Sequence, residues 1–108
     1  MAEAAYAKEE RNGLELWRFT AAAAGVEVFF TTRDGGVSRP PFDSLNLGFH
    51  VDDEPEAVRA NRERLARALE LDPSRLTSPR QRHTDLVALL ESEGDCGGGA
   101  LSEASVFD

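Results

Sequence analysis

The segment RDGGVSRPPFD, residues 33–43, constrains this chain more than any other. Asp34-Gly35-Gly36 is a turn signal, and Pro40-Pro41 removes two backbone donors, so neither a helix nor a central strand can run through it. The chain must therefore be built as one set of elements before this loop and another after it.

Before the loop, LELWRF (Leu14 to Phe19) alternates apolar and polar residues and reads as a strand. AAAAG (Ala21 to Gly25) has helical propensity but is too short to stand as a helix, and reads as a turn. VEVFFTTR then places Val26, Val28, Phe30 and Thr32 on one face and Glu27, Phe29, Thr31 and Arg33 on the other. Two adjacent strands forming a hairpin are expected. Residues 1–13 are polar and read as a flexible lead-in.

After the loop, DDEPEAVRANRERLARALEL is the clearest helix of the chain. Asp53 is the expected N-cap, Glu56 would complete a capping box, and Pro55 suits the first turn. Val58, Leu65 and Leu69 lie along one stripe, flanked by Ala68, with arginines over the rest. Asn61 interrupts that stripe. A buried amide without partners costs about 1–3 kcal/mol, so Asn61 is expected to brace a neighbouring loop such as 33–48.

LDPSRLTSP is a helix exit followed by a short turn. RQRHTDLVALLE (Arg80 to Glu91) reads as a strand or bent strand pair with Gln81 and His83 on a common face. SEGDCGGGALSE is a glycine-rich loop, and ASVFD opens like another strand. No internal repeat is present. Several strands and one helix leave sheet edges unpaired and one face uncovered, so these 108 residues are expected to form the front part of a larger domain.

Composition narrows the function classes. A length of 108 residues allows a single domain, and 41% hydrophobic with 30% charged residues fits a globular protein. The net charge of −8 argues against nucleic acid as the main partner, because neutralising phosphates needs a basic face. Lys8 is the sole lysine. That arginine bias suits bidentate contacts to anions, although a GC-rich genome produces the same bias. No apolar run approaches the roughly 20 residues that span a bilayer, and the first residues lack the pattern of a secretory signal. Cys96, the sole cysteine, cannot form an internal disulfide, which makes the cytoplasm the default compartment.

Three side chains stand out for chemistry. His83 shares a strand face with Gln81, either as a solvated histidine or as a ligand or base. His50 and Cys96 form no metal-ligand spacing with it, so no complete metal site is legible. Arg33 beside Gly35-Gly36 could cradle an anion with freed backbone amides, or could simply pair with Asp34, Asp43 or solvent. The lysine and hydroxyl residue of a P-loop are missing. Asn46, between Leu45 and Leu47, is either presented to a ligand or stabilises a turn. No Ser-His-Asp order, nucleophile elbow or GxGxxG occurs.

Taken together, FFTTRDGGVSRPPFDSLNLGFHVDDEPEAVRANRERL and SPRQRHTDLV resemble the amino-terminal part of the laccase-domain (YfiH-like) family, from about Phe29 to Val87. Its members have been called multicopper polyphenol oxidases and are understood as zinc-containing purine nucleoside phosphorylases that also deaminate adenosine. The resemblance implies an α/β fold of layered sheets flanked by helices, similar to the catalytic domain of cytotoxic necrotising factor toxins. It implies one zinc on a histidine, a cysteine and a second histidine. The first histidine matches His83, and the other two ligands are expected beyond residue 108, so Cys96 is not the family cysteine. The resemblance also implies that Arg33, Asn46 and Gln81 line the pocket for purine nucleoside and phosphate. Adenosine, inosine and guanosine are the implied substrates, with methylthioadenosine as a further candidate. Arg82 and Thr84 depart from the usual apolar residue and glycine beside the metal position.

Two other readings remain open at this point. A copper-dependent polyphenol oxidase is one, although a single His/Cys/His set cannot build a multicopper cluster. A non-catalytic module that keeps Arg33 and Asn46 but holds no metal is the other.

Overall fold

The computed structural model describes residues 5–79, together with 85, 87, 89–91 and 98. A three-stranded antiparallel sheet comes first, built from β1 (Tyr6–Arg11), β2 (Leu14–Phe19) and β3 (Phe29–Thr31) in that spatial order. The loop 32–54 follows, then helix α1 (Pro55–Ala68) and a short 3-10 turn, Pro73–Arg75.

β1 corrects the expectation of a flexible lead-in over residues 1–13. Asn12 and Gly13 both take positive φ, 47° and 82°, which matches the right-handed twist of a two-residue hairpin. The Asn-Gly pair therefore turns the chain back, and Tyr6–Arg11 pairs with Leu14–Phe19 from Arg11 opposite Leu14 to Tyr6 opposite Phe19.

The strand expected at 14–19 forms as expected, and the turn at 21–25 closes with the Val26 N–H on the Ala23 carbonyl at 3.0 Å. The next strand is shorter than its alternation predicts and occupies only 29–31. At its far end Thr32 spends its hydroxyl on the Glu15 carbonyl at 3.2 Å and also accepts from the Asp34 N–H, so the chain bends out of the sheet.

The two faces of the sheet differ. Leu14 and Leu16 are fully buried and join Leu45 and Ala68 in the core, with Phe29, Leu47, Leu65 and Leu69 packed around them. Burying a leucine side chain stabilises by roughly 1.5–3 kcal/mol, so this small cluster holds sheet, loop and helix together. The opposite face carries Tyr6, Trp17 and Phe30, all substantially exposed, with Tyr6 edge-on to Phe30 at 5.5 Å.

Helix α1 buries Val58, Asn61, Ala66 and Ala68. Its start differs from expectation. Glu54 is the N-cap, with no side-chain cap bond, and the capping box of Asp53 with Glu56 does not form. Pro55 sets the first helical φ, which moves the cap to residue 54 and leaves the Asp53 carboxylate to other partners. The helix closes with Glu70 at φ 59°, its N–H on the Arg67 carbonyl and the Leu71 N–H on the Ala66 carbonyl. This is a Schellman closure built on a residue other than glycine.

Gln81, His83 and Cys96, and most of the strand expected over 80–91, lie outside the described residues.

Candidate functional site

Loop 32–54 is held by two anchors. The first is the Arg33 main-chain carbonyl, which accepts from the Ser44 N–H (2.7 Å), the Leu45 N–H (2.8 Å) and the Ser44 hydroxyl (3.0 Å). The second is Asn61, fully buried on α1. Its Oδ1 accepts from the Val37 N–H at 2.8 Å, and its Nδ2 donates to Ser38 Oγ at 2.9 Å and to the Asn46 carbonyl at 2.8 Å. Both amide hydrogens and one of the two oxygen lone pairs are thereby used. The expectation that Asn61 braces loop 33–48 holds, and its complete burial keeps the amide from a ligand.

Arg62, one residue on, extends the brace. Its Nε donates to the Leu47 carbonyl at 2.7 Å while the guanidinium lies 4.6 Å from the centre of the Phe49 ring. Burial pulls its pKa below the ordinary arginine value, but an arginine remains charged through any pH at which a protein works.

Arg33, Pro41, Phe42, Asp43, Ser44, Leu45 and Asn46 line a groove of about 400 Å³. Arg33 reaches into this loop with Nε on the Asp43 carbonyl and Nη2 on the Asp43 carboxylate, both at 3.1 Å. The Arg33 side chain is still 71% exposed, so the pair is worth no more than about 1 kcal/mol. Among the described residues Nη1 has no protein acceptor. The pairing anticipated with Asp43 is thus present, and it leaves part of the guanidinium available to an anion.

The amides of the glycine segment behave differently from the expected cradle. Gly36 donates to Ser44 Oγ at 3.1 Å, Val37 to Asn61, Ser38 to the Ser44 carbonyl at 3.0 Å, and Asp34 to Thr32 Oγ1. These N–H groups are engaged within the protein and are not offered to an anion, unlike the exposed Arg33 side chain.

Asn46 stands between the groove and a carboxylate. Its Oδ1 accepts from the Gly48 N–H at 3.1 Å, and its Nδ2 donates to the Gly48 carbonyl at 3.4 Å and to Asp53 Oδ2 at 3.1 Å. Asp53 also accepts from the Ser38 hydroxyl at 2.5 Å and the Glu54 N–H at 2.8 Å. Desolvation pushes the Asp53 carboxyl up, but the bonds from Ser38, Asn46 and Glu54 outweigh it and hold the group below the ordinary aspartate value. The structure therefore brings Arg33 and Asn46 together at one groove, while Gln81 and His83 lie outside the described residues.

Sequence reading missed Asp53 and Ser38. The sequence places Asp53 at the helix cap, and the available signal is the pair Asp52-Asp53 ahead of Pro55, one carboxylate more than a cap requires. Ser38 carried no signal beyond its place in a turn-rich stretch.

A second groove of about 570 Å³ lies between the β1–β2 turn and the end of α1, lined in part by Glu10, Glu27 and Glu70. Arg11 also lines it, but three carboxylates to one guanidinium disfavour a phosphate. Among the described residues no group of three or more His, Cys, Asp or Glu is placed to hold a metal ion, and no helix is long and apolar enough to cross a membrane.

Known proteins resemble this chain over much of its length. The family model described as multi-copper polyphenol oxidoreductase laccase matches residues 27–106. A purine nucleoside phosphorylase of Pseudomonas aeruginosa is 62% identical over 53 residues, which are 49% of this chain and 22% of that protein. One from Mycobacterium tuberculosis is 56% identical over 61 residues, 56% of this chain and 24% of its own length. The chain thus spans about a quarter of the curated relatives it matches. Among solved structures, YlmD of Geobacillus stearothermophilus superposes with a TM-score of 0.82 at 33% identity, covering 97% of this chain and 38% of that one. The YfiH protein of Bacillus licheniformis gives 0.78 at 33% identity, covering 85% and 34%.

Proposed function

The chain belongs to the multi-copper polyphenol oxidoreductase laccase family, and from that premise we propose that it supplies one wall of the nucleoside and phosphate site of a purine nucleoside phosphorylase. The observation that carries this reading is the single groove shared by Arg33 and Asn46, in a chain about half of which is closely similar to proteins that bear that name.

The chemistry of the two side chains fits the reaction. In phosphorolysis the glycosidic C–N bond breaks with its electron pair leaving on the base, and a phosphate oxygen bonds to the sugar C1′. The base takes up the proton that the phosphate gives up, and the products are a free purine and ribose 1-phosphate. Such a site works by positioning reactants and balancing charge as it shifts. Arg33 can place a positive charge and its Nη1 hydrogens against phosphate. Asn46 can fix a polar group of the nucleoside. Gln81 belongs to the same proposed wall.

The finer assignments are part of the proposal. They comprise a layered α/β domain like that of the necrotising factor toxins, with this chain as its N-terminal part, a cytoplasmic location, zinc on His83, and adenosine deamination. The described residues assemble no ligand set, so no step here is routed through a metal. When bound, zinc would supply a polarised water for deamination.

The test is product analysis. Protein expressed from its complete reading frame, incubated with adenosine or inosine and orthophosphate, is expected to yield the free base and ribose 1-phosphate. A copper-loaded sample that oxidises phenols and leaves nucleosides intact would establish the oxidase reading instead. Nucleoside binding without turnover would establish the binding module.

A further inference from the structure

We infer that Asn46 acts toward its ligand only as a hydrogen-bond acceptor, that Asp53 sets this polarity, and that the group it recognises is a donor on the nucleoside, not the phosphate. The inference rests on the nucleoside phosphorylase reading and names what one side chain of that site selects.

An asparagine amide carries two N–H hydrogens and two carbonyl lone pairs, and its two ends are distinguished only by their neighbours. Here both neighbours agree. Asp53 is held below the ordinary aspartate pKa and is acceptor-only at neutral pH, so Nδ2 must face it, at 3.1 Å. The Gly48 N–H is donor-only, so Oδ1 must face it, at 3.1 Å. Both Nδ2 hydrogens then have acceptors, Asp53 Oδ2 and the Gly48 carbonyl. What remains is one lone pair on Oδ1.

A lone pair can receive a sugar hydroxyl or an N–H of the base. It suits orthophosphate poorly, because the negatively charged oxygens of that anion are acceptors and only a remaining P–O–H hydrogen could donate. Asn46 and Arg33 share the groove but divide its work, the arginine meeting the anion and the amide meeting the nucleoside. Asp53 does not line that groove and is a positioning residue. Its carboxylate is fixed by Ser38 Oγ and the Glu54 N–H, and Ser38 is tied to the buried Asn61. The polarity of Asn46 thus rests on the rigid core of α1.

The experiment uses protein from the complete reading frame with adenosine, its 2′-, 3′- and 5′-deoxy analogues, and purine riboside, which lacks the 6-amino group. The wild type is expected to use one of these analogues about tenfold less well in kcat/KM than adenosine, the effect of one hydrogen bond. Asn46→Ala should erase that one difference while leaving the phosphate KM within about twofold. Which analogue responds separates a sugar hydroxyl from the base amine. Asp53→Ala should shrink the same discrimination, and Asp53→Asn should restore part of it, because an amide oxygen can still accept from Nδ2. Thermal midpoints show whether each variant is folded. A phosphate KM raised by Asn46→Ala, or an analogue series that Asn46→Ala leaves unchanged, overturns the inference while phosphorolysis itself stands. If the wild type turns over no nucleoside, the phosphorylase reading fails, and calorimetry with the same analogues then decides the polarity. Weakened binding of one donor-deleted analogue that Asn46→Ala abolishes supports it, and uniform or absent binding overturns it.

Discussion

The Asn46 amide and the Asp53 carboxylate meet at 3.1 Å, joining a residue of the candidate groove to the residue just before the N-cap of α1. Through Ser38 the same carboxylate connects to Asn61, and Asn61 returns to the Asn46 carbonyl at 2.8 Å. The ring of contacts is closed.

Asn61 is the member whose loss costs most. Asn61→Ala leaves the Val37 N–H, the Ser38 hydroxyl and the Asn46 carbonyl without their partner at a fully buried site. The expected cost is about 2–4 kcal/mol, and Asn61→Leu should fare no better. Urea unfolding of both variants checks this, with lowered midpoints as the expected outcome.

Gly36 reports on how closely the loop arms approach. A Cβ there would land on the Ser44 carbonyl oxygen and within 2.6 Å of Asn61 Oδ1. Gly36→Ala should therefore destabilise by about 1–3 kcal/mol through forced backbone movement. Measured by thermal unfolding, Gly25→Ala serves as contrast, since nothing lies within 4 Å of its Cβ position and only its φ of 81° opposes the change.

The end of α1 offers a substitution in the stabilising direction. Glu70 occupies the left-handed region at φ 59°, which costs a side-chain-bearing residue about 1–2 kcal/mol relative to glycine. Glu70→Gly is expected to raise stability by up to about 1 kcal/mol after the greater chain entropy of an unfolded glycine is subtracted. Chemical denaturation reads the change directly.

Asp53 predicts an acid-side pH dependence. Its folded-state pKa lies below the ordinary aspartate value, because the bonds from Ser38, Asn46 and Glu54 exceed the opposing desolvation. The stabilisation is fully present above the unfolded value of about 3.9 and is lost as pH falls from there through the folded value. Asp72 is lowered in the same direction by the Ser74 N–H and hydroxyl, and it remains in any Asp53 variant. Denaturation from pH 6 down to pH 2 should therefore show a smaller loss for Asp53→Asn than for the wild type, and the difference isolates Asp53.

Much of this arrangement was legible before the structure. The alternation of Leu14 to Phe19, the helix from Pro55 onward and the bracing role of Asn61 depend on side-chain periodicity, which local sequence carries. The β1 strand was missed because Tyr6–Arg11 is polar on both faces, although Asn12-Gly13 marked the hairpin that makes it. Asp53 was misassigned for a different reason. Whether a carboxylate caps its own helix or reaches back to Ser38 and Asn46 depends on where the loop lies, and that is a tertiary relationship. Arg33 and Asn46 were found, but the engagement of the Gly36 and Val37 amides by Ser44 and Asn61 is likewise invisible to spacing.

The central claim is that Arg33 meets the phosphate of a phosphorolysis reaction. The most direct measurement compares Arg33→Ala with wild type, using protein from the complete reading frame and varying phosphate at saturating nucleoside. The expected result is a phosphate KM raised about 10- to 100-fold, the loss of a charge-assisted contact, with the nucleoside KM changed far less. An unchanged phosphate KM, or an equal rise in both constants, would contradict it.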